Sequence, residues 1–234
     1  ILLGGYIVSP QEKPYIIFAR DFQEHKTEYI LPLEFTYGIR SLREHRRIRD
    51  KVEGVSHGMY AALSGDTLFY VSDVRLKVIK MDLKTKKIDI LGKKPKNFRA
   101  LVMNTKTKKE LLHPQTGKKI MEEILNKFSF VNGIFADRNI FGVIYTNRDK
   151  KVGDELYFKA YIQIYDHSGD LLYEDQLEEF YSEENFIPLF YQPATGSLYM
   201  LAMIIKGTSL VYTIYKYQII QPIQPRKKDV DDSN

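Results

Sequence analysis

The chain has 234 residues, of which 44% are hydrophobic and 28% charged, with a formal net charge of +5. This composition is typical of a globular domain and excludes a disordered or low-complexity protein. Cysteine is absent, which excludes disulfides, thiolate catalysis and Cys-ligated metals. No apolar run of about 18 residues occurs, so no membrane-spanning helix is predicted.

The first part of the chain predicts short strands. Residues that favour β structure fill Gly5–Ser9, Tyr15–Arg20 and Glu28–Glu34, and the turn Pro10–Pro14 separates the first two runs. The chain starts at Ile1 inside such a run, without an initiator Met or the features of a signal peptide. We therefore expect further residues before Ile1.

The segment Gly58–Lys93 carries the clearest pattern. It alternates apolar and polar residues with period two and is divided by turns at Ser64–Asp66 and Lys84–Lys86. Such alternation with closely spaced turns predicts an antiparallel meander. The four predicted strands are Tyr60–Leu63, Thr67–Ser72, Lys77–Leu83 and Lys87–Leu91.

Two insertions interrupt the strand pattern. Arg40–Lys51 is highly charged and predicts either a short surface helix or an outer strand. His113–Phe128 has Pro114 near its start and apolar residues at helical spacing, which predicts an inserted amphipathic helix. The apolar positions of this helix are Ile120, Met121, Ile124, Leu125 and Phe128.

The meander pattern returns twice after the second insertion. A third unit begins at Phe130 and a fourth at Phe186, and the polar tail Arg226–Asn234 is expected to be flexible. The predicted strands are Phe130–Ala136, Ile140–Thr146, Ala160–Tyr165 and Leu171–Gln176, then Phe186–Tyr191, Ser197–Ile205 and Ser209–Ile220.

Repeated four-stranded meanders predict an all-β protein, a β-propeller in which each antiparallel blade packs against its neighbours. The expected blades span roughly residues 1–53, 54–112, 128–182 and 183–222, within a single domain at 1–225. A β-sandwich, which also has many short strands, is the alternative architecture.

The repeats also resemble a known group of proteins. The segments LFYVSDVRLKVIKMDLKTKK, YIQIYDHSGDLLYE and GSLYMLAM are similar to blades of the six-bladed propellers of the NHL and TolB-like kind. The resemblance implies a six-bladed parent of which about four blades are visible here. It also implies an exported bacterial protein, and it says little about function because propellers serve many functions.

Candidate site residues follow from the predicted propeller. The first residues of the innermost strands lie near the mouth of its channel, which singles out His57, Asn132 and Asn185, with Asp73 after the second strand of its blade. Gluconolactonase-like propellers, which look similar here, hold a divalent metal near such positions. The oxygen ligands would suit Ca²⁺ or Mg²⁺. Alternatively, Asn or His before Gly merely hydrogen-bonds the local backbone.

A basic stretch is the second candidate site. Arg75–Lys119 contains about 15 Lys and Arg against 3 acids, whereas Asp170–Glu184 carries seven acids and no base. Phe98 is the only aromatic residue of the basic stretch, whereas proteins that bind single-stranded nucleic acid stack bases on several aromatic side chains. We therefore rank nucleic acid below an anionic glycan, lipid head group or acidic protein as the partner. The alternative is two oppositely charged solvated faces. The predicted patch comprises Lys77, Lys80, Lys84, Lys86, Lys87, Lys93, Lys94, Lys96 and Arg99.

Two functions therefore remain open. The first is a non-enzymatic scaffold, without a cofactor, that presents a propeller face or channel mouth to a protein, peptide or glycan. The second is a metal-dependent hydrolase or lyase with its site at the channel mouth. The first is preferred because the sequence lacks a nucleophile elbow, a P-loop, a dinucleotide fingerprint and a His-based metal spacing.

The metal-dependent alternative makes a thermal prediction. If His57, Asp73 and Asn132 help to hold Ca²⁺, the ion binds only the folded state and raises the melting temperature. Thermal unfolding with chelator and with added Ca²⁺ measures the effect. Equal melting temperatures would rule out this site.

Overall fold

Antiparallel β-strands account for all the regular secondary structure that is described. A computed structural model describes residues 2–8, 14–32, 59–72, 75–92, 95–99, 129–152, 155–181, 185–206 and 208–220. The predicted helix at 113–128, the insertion at 40–51 and the tail at 226–234 lie outside these residues. The all-β prediction is confirmed.

The strands form four sheets, numbered here in chain order. Sheet 1 contains β1 (Leu2–Val8), β2 (Pro14–Arg20) and β3 (Thr27–Pro32). Sheet 2 contains β4 (Met59–Ser64), β5 (Thr67–Ser72), β6 (Arg75–Asp82) and β7 (Ile88–Leu91). Sheet 3 contains β8 (Ser129–Ala136), β9 (Ile140–Val152), β10 (Glu155–Asp166) and β11 (Leu171–Tyr181). Sheet 4 contains β12 (Asn185–Gln192), β13 (Ser197–Lys206) and β14 (Ser209–Gln218).

Every described pairing joins strands that follow one another in the chain. Each sheet is therefore a meander, as the turn spacing predicts. The turn residues explain the tight connections: Gly65, Gly169 and Gly196 have positive φ, which glycine adopts at little steric cost. The β9–β10 hairpin is longer than predicted and reaches Val152 and Glu155.

Sheet 3 is packed on both faces. Toward sheet 2 it buries Phe141, whose ring stacks between Phe69 at 4.8 Å and Tyr165 at 5.0 Å. Toward sheet 4 it buries Ile144 and Ile162 against β13. Aromatic stacking adds about 0.5–1.5 kcal/mol per pair to the free energy gained from apolar burial.

The first strand of sheet 3 is the common neighbour of the sheets on either side. β8 lies beside β4 of sheet 2 and beside β12 of sheet 4. The approach to β12 is close, because a Cβ atom on Gly133 would overlap the ring of Pro188. Glycine at this position allows the two backbones to come together.

The packing between sheets 3 and 4 predicts a matched pair of stability effects. Ile144 has no exposed surface, whereas Ile90 on β7 is 56% exposed. Ile144→Ala should lower the free energy of unfolding by about 2–5 kcal/mol through lost burial and an unfilled cavity. Ile90→Ala should change it by less than about 0.5 kcal/mol. Urea unfolding checks both values, and equal losses would contradict this account of the core.

Candidate functional site

The turn between β8 and β9 connects three sheets. The Asp137 carboxylate accepts the backbone N–H groups of Asn139 at 2.7 Å and Ile140 at 2.9 Å, which fixes the turn. Its other oxygen accepts the Tyr191 hydroxyl of sheet 4 at 3.0 Å, and its backbone carbonyl accepts the Ser64 hydroxyl of sheet 2 at 2.6 Å. Asp137 is only 8% exposed, so these bonds satisfy a nearly buried charge.

The turn after β10 lies beside Asp137 and contacts both sheet 2 and the turn between β8 and β9. The His167 ring packs 5.0 Å from Phe69, and its Nε2 lies 2.8 Å from the Asp137 carbonyl. The Lys80 ammonium donates to the His167 carbonyl at 2.7 Å. This histidine therefore has a structural role between sheets 2 and 3.

Beside this connected end, a cleft of about 1140 Å³ opens between sheets 3 and 4. Its floor is the buried aliphatic surface of Ile140, Ile162 and Ile164. Leu172 and Leu177 on β11 line one wall. The opposite wall consists of residues 217–220, at the end of β14 and just beyond. Concave and largely apolar, the cleft has the character of a ligand site.

Polar groups at the rim of the cleft have defined protonation states. The Ser168 hydroxyl and the backbone N–H groups of the turn donate to Asp166 and hold its pKa below the ordinary value, so the carboxylate is charged at neutral pH. The Tyr173 hydroxyl donates to Asp175 at 2.9 Å, which raises the pKa of Tyr173 and keeps it neutral. These groups, with Arg138, offer charge and hydrogen bonds at neutral pH.

The predicted channel-mouth residues have different positions in the fold. His57 and Asp73 lie outside the described residues. Asn132 is the fourth residue of β8, and its side-chain oxygen accepts the Thr146 hydroxyl at 3.0 Å. Asn185 is the first residue of β12. The proposed ligand role of these residues stays a prediction.

Three lysines of the predicted basic patch form ion pairs with carboxylates in the described part of the chain. Lys84 pairs with Asp66, and Lys86 reaches Glu28 of β3 at 2.6 Å. Lys87 lies 3.4 Å from the Asp89 carboxylate. These exposed pairs add little stability, but the carboxylates reduce the local positive potential.

The remaining patch residues differ in their contacts. Lys77 is exposed, and Lys80 is tied to the His167 turn. The Arg99 guanidinium donates to the Arg148 carbonyl at 2.9 Å, and the Lys96 backbone N–H lies 3.4 Å from a Glu174 oxygen. Lys93 and Lys94 lie outside the described residues. An anionic partner for this surface stays a prediction.

The described residues contain no group of three or more His, Asp or Glu side chains placed to hold a metal ion. Among them there is also no helix long and apolar enough to cross a membrane.

Neither the hydrogen bonds that Asp137 makes between sheets nor the cleft could be predicted from the sequence. The turn Asp137–Asn139 is recognisable as a turn, because Asp commonly accepts the N–H groups that follow it. The partners Ser64 and Tyr191 are 73 and 54 residues away, so no local pattern predicts them. The cleft likewise depends on how two sheets pack.

Comparisons with known proteins found no relative of this chain. No protein-family model, no curated protein and no solved structure matches it.

The Tyr191–Asp137 contact predicts a loss of stability at alkaline pH. Partial burial, the hydrogen bond to Asp137 and the charge of Asp137 together raise the pKa of Tyr191 from its ordinary value of 10.0 to about 12. The folded state therefore favours the neutral phenol. Its stabilising contribution is complete below pH about 10 and is lost as pH rises toward 12.

Urea unfolding at pH about 9 and about 11 tests this dependence. The Tyr191→Phe variant has no ionisable group at this position, so it should lose less free energy of unfolding than wild type over the interval. The same loss in both proteins would show that Tyr191 does not contribute.

Proposed function

We propose that this protein is a non-enzymatic binding scaffold that holds an extended, apolar peptide segment of a partner protein in the cleft between sheets 3 and 4. The observation that carries the proposal is the cleft itself, with its buried aliphatic floor and polar rim. Its volume, about 1140 Å³, exceeds that of most small-molecule sites, for which about 300–1,000 Å³ is usual.

The composition of the lining favours a peptide over a glycan. Seven of the thirteen lining residues are Ile or Leu, and the three residues of the floor are all Ile. When apolar groups of a ligand cover this aliphatic surface, each Å² of apolar area removed from water favours binding by about 25 cal/mol. A glycan has hydroxyl groups that would lose their water on such a floor without gaining partners.

The position of the cleft matches that of an added strand. Sheets 2 and 3 have four strands, whereas sheet 4 has three in the described part of the chain. The cleft lies between β11, the outermost strand of sheet 3, and the end of β14, the outermost strand of sheet 4. An extended segment there would lie where a fourth strand of sheet 4 would be, over the face of sheet 3.

The backbone of β14 can bind such a segment. The Ile219 N–H donates to the Gly196 carbonyl at 2.7 Å, so these two residues form a hydrogen-bonded pair. Hydrogen-bonded and non-hydrogen-bonded pairs alternate along an antiparallel ladder. The backbone N–H and C=O groups of Leu210, Tyr212, Ile214, Lys216 and Gln218 therefore point away from β13 and toward the outer edge. Strand addition at such an edge is a common form of peptide recognition.

We further propose that the four sheets are successive blades of a β-propeller. The arrangement of three first strands supports this: β8 lies between β4 and β12, and the later strands of each sheet follow outward in chain order. Radial repetition of meanders produces this order. In such a fold the cleft lies between two blades, away from the channel.

Selection of peptides tests the binding site. From a displayed library of nine-residue peptides, we expect the protein to enrich sequences in which apolar and polar residues alternate. Leu172 is 47% exposed on the cleft wall, and Leu63 on β4 is 51% exposed. Leu172→Asp should weaken binding of a selected peptide at least tenfold, because the added carboxylate would lose water in the complex. Leu63→Asp should leave the affinity unchanged.

Fluorescence anisotropy with the labelled peptide measures these affinities. To test strand addition, Lys216→Pro removes an outward N–H of β14, whereas Lys216→Ala keeps it. The proline variant should bind at least tenfold more weakly than the alanine variant. Failure to enrich any peptide, or equal affinity of wild type and Leu172→Asp, would refute the binding proposal. Equal affinity of the two Lys216 variants would refute only strand addition.

A further inference from the structure

The cleft between sheets 3 and 4 is acidic on the side of sheet 3. Its lining includes β11, and the stretch Asp170–Glu184, to which β11 belongs, carries seven acidic residues and no basic one. Residues 217–220 on the opposite wall include no Asp, Glu, Lys or Arg. A cleft with an apolar floor and acidic groups along one side can select its ligand by charge as well as by shape.

Two carboxylates of sheet 3 share the face that forms the floor of the cleft. Asp166 follows Ile162 and Ile164 at intervals of two residues on β10, and all three line the cleft. Asp175 of β11 pairs in register with Ile162, so its side chain lies on the same face of the sheet. It accepts the hydroxyl of Tyr173, another lining residue, at 2.9 Å.

Neither carboxylate is neutralised by a cation of the described residues. Asp166 accepts the Ser168 hydroxyl and the backbone N–H groups of Ser168 and Asp170, and all three bonds go to Oδ1. Oδ2 can therefore accept a donor from a ligand. Arg138, at the end of the cleft, is the one cationic residue of the described lining, and it forms no ion pair with any described residue.

We infer that the peptide bound in the cleft is cationic, with Lys or Arg at two cleft-facing positions four residues apart and an apolar residue midway between them. The inference rests on the proposed function, because it describes the ligand of the same site. The spacing follows from the strands: Asp166 and Ile162, the register partner of Asp175, are four residues apart, which is about 13 Å along β10. An extended peptide has the same rise, and its midway residue covers Ile164.

Long basic side chains suit these two positions. The aliphatic part of Lys or Arg can lie on the Ile floor while the charged group reaches a carboxylate. An acidic peptide would instead place its carboxylates beside Asp166 and Asp175, where like charges repel. The two carboxylates therefore provide discrimination by charge, whereas the floor provides most of the affinity.

Three labelled nine-residue peptides with blocked ends test the inference on the 234-residue chain by fluorescence anisotropy. The first, Leu-Thr-Lys-Thr-Leu-Thr-Lys-Thr-Leu, has the proposed spacing. The second has Glu in place of both lysines. The third, Leu-Lys-Thr-Thr-Leu-Lys-Thr-Thr-Leu, has the composition of the first, but its lysines lie on the face opposite to its leucines. At about 50 mM salt, the first should bind about tenfold more tightly than the second and about threefold more tightly than the third, and both advantages should shrink at about 500 mM salt.

Matched variants of the protein remove one charge at a time. Asp175→Asn should weaken binding of the first peptide about threefold and should not weaken binding of the second. Asp166→Asn keeps an oxygen that can accept the N–H groups of its turn, and it should have the same effect. Asp89→Asn, at an exposed Asp of β7 on sheet 2, is the control and should change neither affinity.

Equal affinity for the first and second peptides would overturn the inference, as would equal affinity of wild type and both cleft variants for the first. Equal affinity for the first and third would show attraction without defined positions, which would also overturn it. In each case, enrichment of uncharged apolar peptides from the displayed library would leave the proposed binding function intact. Binding of none of the three peptides, with no enrichment from the library, would refute that function as well.

Discussion

Sheet 3 is buried on both faces, and this burial holds sheets 2 and 4 in place on either side of it. Its central residues contact sheet 2 through stacked rings such as Phe69 and Phe141, and sheet 4 through aliphatic side chains such as Ile144. Apolar burial has no direction and does not by itself fix how the sheets are placed. The hydrogen bonds of the nearly buried Asp137 fix the relative placement of the sheets, because they reach Ser64 of one neighbouring sheet and Tyr191 of the other.

The position of sheet 4 leaves two surfaces accessible. Within the described part of the chain, this sheet packs on sheet 3 with one face and has three strands where its neighbour has four. The cleft opens beside the outer edge of β14. On the opposite face of sheet 4, Tyr212 and Ile214 are exposed to solvent.

Much of the secondary structure was predictable because it depends on local chemistry. In the second unit, the period-two alternation and the turns at Ser64–Asp66 and Lys84–Lys86 place the strands within a few residues of their observed ends. The site was less predictable. The Asn132 side chain accepts a hydrogen bond from Thr146, a partner that the strand pattern does not reveal. Asp137 is recognisable from the sequence only as a turn residue, although it accepts hydrogen bonds across two sheet interfaces.

The all-β class, the order of the meanders and the turn positions could be read from the sequence, since each follows from interactions among residues close in the chain. How the sheets pack, where the cleft opens and what Asp137 contacts are properties of the folded molecule. These features join residues such as Ile162 and Ile219, which are distant in sequence and become neighbours only when complete sheets pack together.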